Sequence, residues 1–141
     1  MASTWSKESP PVPGYHLIDD EPFAHGGAGE VWKATGPGGI RVALKRVRLA
    51  CAMGDAELKA LELMRSVSGH PHLLSVHGFW VLDTELVIAT ELASGSLTGR
   101  LKETRGRGIP VEELLEYMED AAKGIDYLNS PIHELDGKQV A

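Results

Sequence analysis

The chain has 141 residues, of which 43% are hydrophobic and 24% charged, a balance that supports one packed core rather than a disordered segment. Its 14 Lys and Arg residues against 20 Asp and Glu leave a formal charge of -6, which argues against a surface that follows nucleic-acid phosphates. Cys51 is the single cysteine, no apolar leader opens the chain, and no apolar stretch approaches membrane-spanning length, so neither an internal disulfide nor a membrane segment is expected and a cytoplasmic setting is the default.

Residues 1–14 read as a flexible tail, because Pro10, Pro11 and Pro13 lack backbone donors and the segment offers little apolar surface for burial. Ordered structure is expected from Tyr15. Strands are predicted over 30–35 and 40–48, reversed at Gly36-Pro37-Gly38-Gly39, where glycine supplies the positive φ of a tight turn. Leu58, Leu61, Met64 and Val67 recur at helical spacing over 55–67, with Lys59, Glu62 and Arg65 between them and Asp55 placed as a cap. His70-Pro71 ends that helix. Two short strands follow over 73–79 and 85–89, around a polar turn at Asp83-Thr84, for about five strands in all. After Ser94-Gly95-Ser96 breaks the pattern, Val111, Leu114, Leu115, Met118, Ala122, Ile125 and Leu128 form the apolar stripe of a long helix with Pro110 at its first turn.

Three segments bear on chemistry. The stretch Ala24-His25-Gly26-Gly27-Ala28-Gly29-Glu30-Val31 joins two strands, and its small residues let backbone N–H groups approach a polyphosphate; a plain hairpin turn explains the same glycines. A phosphate loop of the Gly-Lys-Ser/Thr type and a dinucleotide fingerprint are both excluded, since no such lysine and no helix follow. In Val42-Ala43-Leu44-Lys45, strand alternation puts Ala43 and Lys45 on one face, a small side chain beside a cation that can reach phosphates further out. Arg46 and Arg48 read as solvated strand charges. The helix from Asp55 offers Glu57 and Glu62 as counter-charges for Lys45, and Glu57 is placed ahead because it shares the face of Leu61 and Met64.

Taken in order, the glycine loop ending Gly29-Glu30-Val31, then Val42-Ala43-Leu44-Lys45, a Glu-bearing helix, His70-Pro71-His72-Leu73-Leu74, and Leu86-Val87-Ile88-Ala89-Thr90-Glu91-Leu92-Ala93-Ser94-Gly95-Ser96-Leu97 resemble a protein kinase small lobe, particularly that of bacterial eukaryotic-like serine/threonine kinases. The resemblance covers 15–129. It implies an α+β fold: a five-stranded antiparallel sheet with one packed helix over 15–92, then, over 93–141, the first helices of an incomplete large lobe. It further implies ATP as ligand, with Phe23, Ala24, Gly26, Gly27 and Gly29 around the phosphates and Val31 and Ala43 on either side of the adenine. Lys45 would hold the α- and β-phosphates and pair with Glu57. Thr90 would stand at the rear of the adenine pocket, and the backbone of Glu91 and Ala93 at the adenine edge.

Three departures qualify this likeness. Ala24 stands where the family has its first loop glycine, and Glu57 lies a few residues further from His70-Pro71 than is usual. The family's catalytic-loop aspartate, its magnesium-binding asparagine and its Asp-Phe-Gly metal site have no counterpart here; His133-Glu134-Leu135-Asp136 has one residue too many between His and Asp. The expectation is therefore the ATP-binding part of a truncated serine/threonine kinase, which in full length transfers the ATP γ-phosphoryl group to a protein hydroxyl. The alternative is a non-catalytic, kinase-derived module that binds a nucleotide or a partner. No metal site is expected from His70, His72 and His77, which surround apolar residues, and no nucleic-acid partner is expected.

Overall fold

The computed structural model describes residues 5–26, 29–48, 55–67, 69–130, 133–135 and 138–140; of 26, 55–60, 133–135 and 138–140 only the backbone is described. In chain order the elements are β1 (His16–Leu17), β2 (Ala24–Gly26), β3 (Gly29–Thr35), β4 (Arg41–Arg48), α1 (Asp55–Ser66), β5 (Val76–Leu82), β6 (Glu85–Glu91), α2 (Leu97–Glu103), α3 (Val111–Asn129), β7 (His133–Leu135) and β8 (Lys138–Val140). They fall into two units, Met1–Arg65 with Ser75–Leu92, and Ser66–Leu74 with Ala93–Ala141.

The first unit is an antiparallel sheet in the order β1-β3-β4-β6-β5, with β2 also paired to β3. This is the α+β fold expected, with one change at its edge. The strand that leads into the glycine stretch is split in two, because residues 18–23 leave the ladder opposite Trp32 and Lys33 and re-enter it at Ala24. Asp19, Asp20 and Glu21 favour water, and Pro22 has no N–H to give to a ladder. The β3–β4 reversal runs through a turn of 3-10 helix at Pro37–Gly39, where Gly38 and Gly39 take φ of 71° and 78° as the turn requires.

Strand alternation gives the sheet two faces. Trp32, Ala34, Val42, Leu44, Val87 and Ala89 share one face and form the main core together with Tyr15, Leu17, Val12 and Trp5. The tail expected over residues 1–14 is thus corrected from residue 5 onward. Trp5 is only 4% exposed, its ring 5.8 Å from that of Trp32, and Tyr15 meets Trp80 edge-on at 5.3 Å. A strand face this apolar needs a cover, and two large aromatics outweigh three prolines in deciding whether the segment packs.

α1 and α3 follow the predicted helices closely. Leu61 and Val67 are buried as expected of the α1 stripe, whereas Met64 is half exposed. β5 starts later than predicted, at Val76, because residues 70–75 turn first. In the second unit α2 is capped by Ser96, whose hydroxyl accepts the Gly99 N–H at 3.1 Å. Arg100 on α2 grips the Glu113 carboxylate of α3 through two N–H donors, at 2.6 and 2.9 Å, and the Tyr117 hydroxyl donates to the same carboxylate at 2.7 Å. The β7–β8 hairpin was not foreseen from the sequence.

Candidate functional site

The second face of the sheet carries the expected binding residues of the first unit. Register sets Val31 opposite Lys45 and Ala43 opposite Thr90, and Ala24 opposite Val31, so all five side chains belong to one face. Ala43 is buried and small, Lys45 is exposed, and Val31 and Thr90 are half-buried. The Thr90 hydroxyl donates to the Glu91 carbonyl at 3.1 Å. Glu91 is tied twice to Ser75: its N–H donates to the Ser75 carbonyl, and its carboxylate accepts the Ser75 N–H at 2.8 Å. Phe23 lies at the same end of β3, its N–H bonded to the Val31 carbonyl and its ring under the Lys33 ammonium at 5.2 Å.

The glycine hairpin is closed by β2 and β3, with Gly26 opposite Gly29. Gly29 has φ of 140°, and a β-carbon added there would lie 1.8 Å from the Arg46 carbonyl oxygen, so no other residue fits this backbone. Gly27 lies outside the described residues. Glu57 belongs to α1 by its backbone, but its side chain is outside the described set, and among the described residues Lys45 has no ion-pair partner. Glu62 is exposed. Ala93, also exposed, opens the second unit.

Arg46 corrects the sequence reading. It is 5% exposed, on the face of Val42 and Leu44 rather than in water. The alternation that put Val42 and Leu44 inward applies equally to Arg46, so the signal was present; its partners were not legible. Arg46 bonds Glu85 on β6 through Nη2, lies 3.5 Å from Glu30 on β3 through Nη1, and stacks over Trp5 with its guanidinium 5.3 Å from the ring centroid. The Glu85 hydrogen bond first, and the two carboxylate charges, raise its pKa above arginine's ordinary value despite the opposing effect of burial. Such pairing is what allows a guanidinium under a sheet.

His70 stacks on Tyr127 at 4.2 Å and His72 faces Asp120 at 3.4 Å, while His77 is exposed. An open hollow of about 520 Å³ beside α2 and α3, walled by Ser96, Arg100, Tyr117 and Met118, contains none of the expected site residues. Among the described residues no helix is long and apolar enough to cross a membrane.

Residues 18–134 match the model of the family described as protein tyrosine and serine/threonine kinase. The chain is 31% identical over 106 residues to a probable receptor-like protein kinase of Arabidopsis thaliana, covering 74% of this chain and 13% of that protein. Two proline-rich receptor-like protein kinases of the same plant are 32% and 34% identical over 114 and 115 residues, each match covering 79% of this chain and 16% of the relative. The chain therefore spans less than a fifth of the length of these curated relatives. Their plant origin gives no support to the narrower bacterial likeness. With the sheet, the glycine hairpin and the lysine-bearing strand in place, the match over most of the chain settles its membership: the chain belongs to the protein tyrosine and serine/threonine kinase family.

Proposed function

We propose that the first unit binds ATP, and that the longer protein transfers its γ-phosphoryl group to a serine or threonine hydroxyl of a protein substrate. The observation that carries this is the register placing Val31, Ala43, Lys45 and Thr90 on one face next to the glycine hairpin. A flat base fits over Ala43, where a larger side chain would fill the space, and the free end of Lys45 supplies cationic N–H donors for the α- and β-phosphates. Val31 covers the base from the hairpin side and Thr90 limits its depth. Glu91, whose N–H is held by Ser75 and whose carbonyl accepts the Thr90 hydroxyl, stands at the adenine edge, where the second lone pair of that carbonyl would accept from the adenine amino group. Phe23, Ala24, Gly26, Gly27 and Gly29 border the phosphates, and Glu57 is the counter-charge that holds Lys45.

The family's magnesium ligands have no counterpart in these 141 residues. No step through Mg2+ is assigned to them. The acid–base and metal contributions to phosphoryl transfer belong to a segment carrying the catalytic aspartate. Lys45→Met keeps the stem's packing and removes the charge, so ATP affinity should fall about tenfold or more while adenosine affinity holds. Calorimetry with both ligands measures this. Equal losses for the two, or none for ATP, contradict the assigned role.

A further inference from the structure

The buried cluster around Arg46 lies on the face opposite the proposed nucleotide, yet it is joined to the glycine hairpin twice. Glu30 directly follows Gly29 and is the register partner of Arg46. Its Oε2 lies 3.5 Å from Arg46 Nη1 and 3.4 Å from the Trp32 indole nitrogen. The Arg46 main-chain carbonyl is the atom against which Gly29 rests. Trp5, itself packed on Trp32, lies against the guanidinium, which is also bonded to Glu85 at the start of β6. One side chain thus links the N-terminal segment, the return strand of the hairpin and the β5–β6 end of the sheet.

Resting on the nucleotide reading above, we infer that Glu30, Arg46 and Trp5 are positioning residues that clamp the return strand of the glycine hairpin from behind. The segment carrying Trp5 thereby sets how well the hairpin receives phosphates. Neither Glu30 nor Trp5 touches the ligand. Their effect is on the freedom of Gly29 and Val31, which a bound polyphosphate would otherwise have to restrict at its own cost in affinity. Glu85 shares the same guanidinium but lies on β6, with β4 between it and the return strand of the hairpin, so it contributes to stability without setting the loop.

The two carboxylates separate a positioning role from a structural one. Glu30→Gln preserves volume and leaves the Arg46 pair with Glu85 intact. Taking a negative charge away from the phosphate end would by simple electrostatics tighten ATP; loss of the clamp predicts the reverse. The expected result in the 141-residue chain is ATP binding about fivefold weaker with adenosine unchanged, as for a contact of about 1 kcal/mol. Without nucleotide, amide hydrogen exchange at Gly29, Glu30 and Val31 should quicken. Glu85→Gln should lower the melting temperature more than Glu30→Gln does while keeping the parent's ratio of ATP to adenosine affinity. Trp5→Ala should reproduce the Glu30→Gln change in ratio, and Trp5→Phe should restore it. An unchanged or tightened ATP affinity in Glu30→Gln, or equal changes of ratio in Glu30→Gln and Glu85→Gln, would overturn the clamp while leaving the nucleotide reading intact. A parent chain that binds neither ligand would overturn that reading itself, and unaltered exchange at the three amides would then dispose of the clamp independently.

Discussion

At Gly124 a helix interior holds a residue poorly suited to it. Replacing such a glycine by alanine ordinarily strengthens a helix by about 1 kcal/mol. Here the added carbon would stand 2.7 Å from the His72 carbonyl oxygen and 3.3 Å from the Leu73 side chain, because the turn bearing His70, which stacks on Tyr127, lies directly on α3. Overpacking against main chain costs about 1–3 kcal/mol, so the clash outweighs the propensity gain. Gly124→Ala should therefore lower the melting temperature; a rise would show that the turn can back away freely. The sequence pattern did not single out Gly124, since the His72 carbonyl that explains it comes from far along the chain. Ala43 and Lys45 were different. Their shared face follows from two-residue periodicity alone, and the register of β4 with β3 and β6 adds only which residues stand beside them.

Among the elements, the two hairpins at Gly38-Gly39 and Asp83-Thr84 and the long helix α3 were legible because local chemistry decides them: glycines for positive φ, a polar two-residue reversal, a sustained 3.6-residue period. The split of the first strand, the packing of residues 5–14 and the short α2 depend on what lies across the sheet or on a single cap, and no local period announces them. Between α2 and α3 the Arg100 grip, first, and the Tyr117 hydroxyl hold the Glu113 carboxyl down to a pKa of about 2 from an ordinary 4.5. A depressed acid contributes stability that is complete above its unfolded value and is lost as pH falls through its folded value. The α2–α3 pairing should hence keep its full strength from neutral pH down to about 4.5 and lose this contribution by about 2. Comparing thermal unfolding of the parent and Glu113→Gln across that range checks it: the parent's advantage should shrink with acid. An advantage that persists unchanged at the acid end would deny the pair any role.

On the scale of the whole chain, the two units differ in how their apolar surface is used. The first unit hides Leu44, Val42 and Val87 completely, whereas α3 leaves Val111, Leu115 and Ile125 at 65%, 62% and 59% exposure. Each such side chain forgoes about 1.5–3 kcal/mol of burial, and a stripe of them on one helix is a surface that associates. The 141-residue chain should therefore self-associate in light scattering, and Leu115→Lys with Ile125→Lys should return it toward a monomer. A monodisperse monomer from the parent would mean that the stripe is covered in solution. The family was legible from the order of its motifs, and the sheet was built from the same segments. The back of that sheet was not, because it is assembled from Trp5, Arg46, Glu30 and Glu85, residues that no motif connects.

Affinity labelling tests the proposed contact between Lys45 and the phosphates of ATP directly. An acyl phosphate of ATP delivers its acyl group to an amine lying against its phosphate chain, and peptide mass spectrometry locates the modified lysine. Lys45 should be acylated in preference to Lys33, Lys102 and Lys123, with excess ATP protecting it and adenosine protecting it far less. Acylation centred on another lysine, or labelling of Lys45 that ATP does not suppress, would contradict the claim.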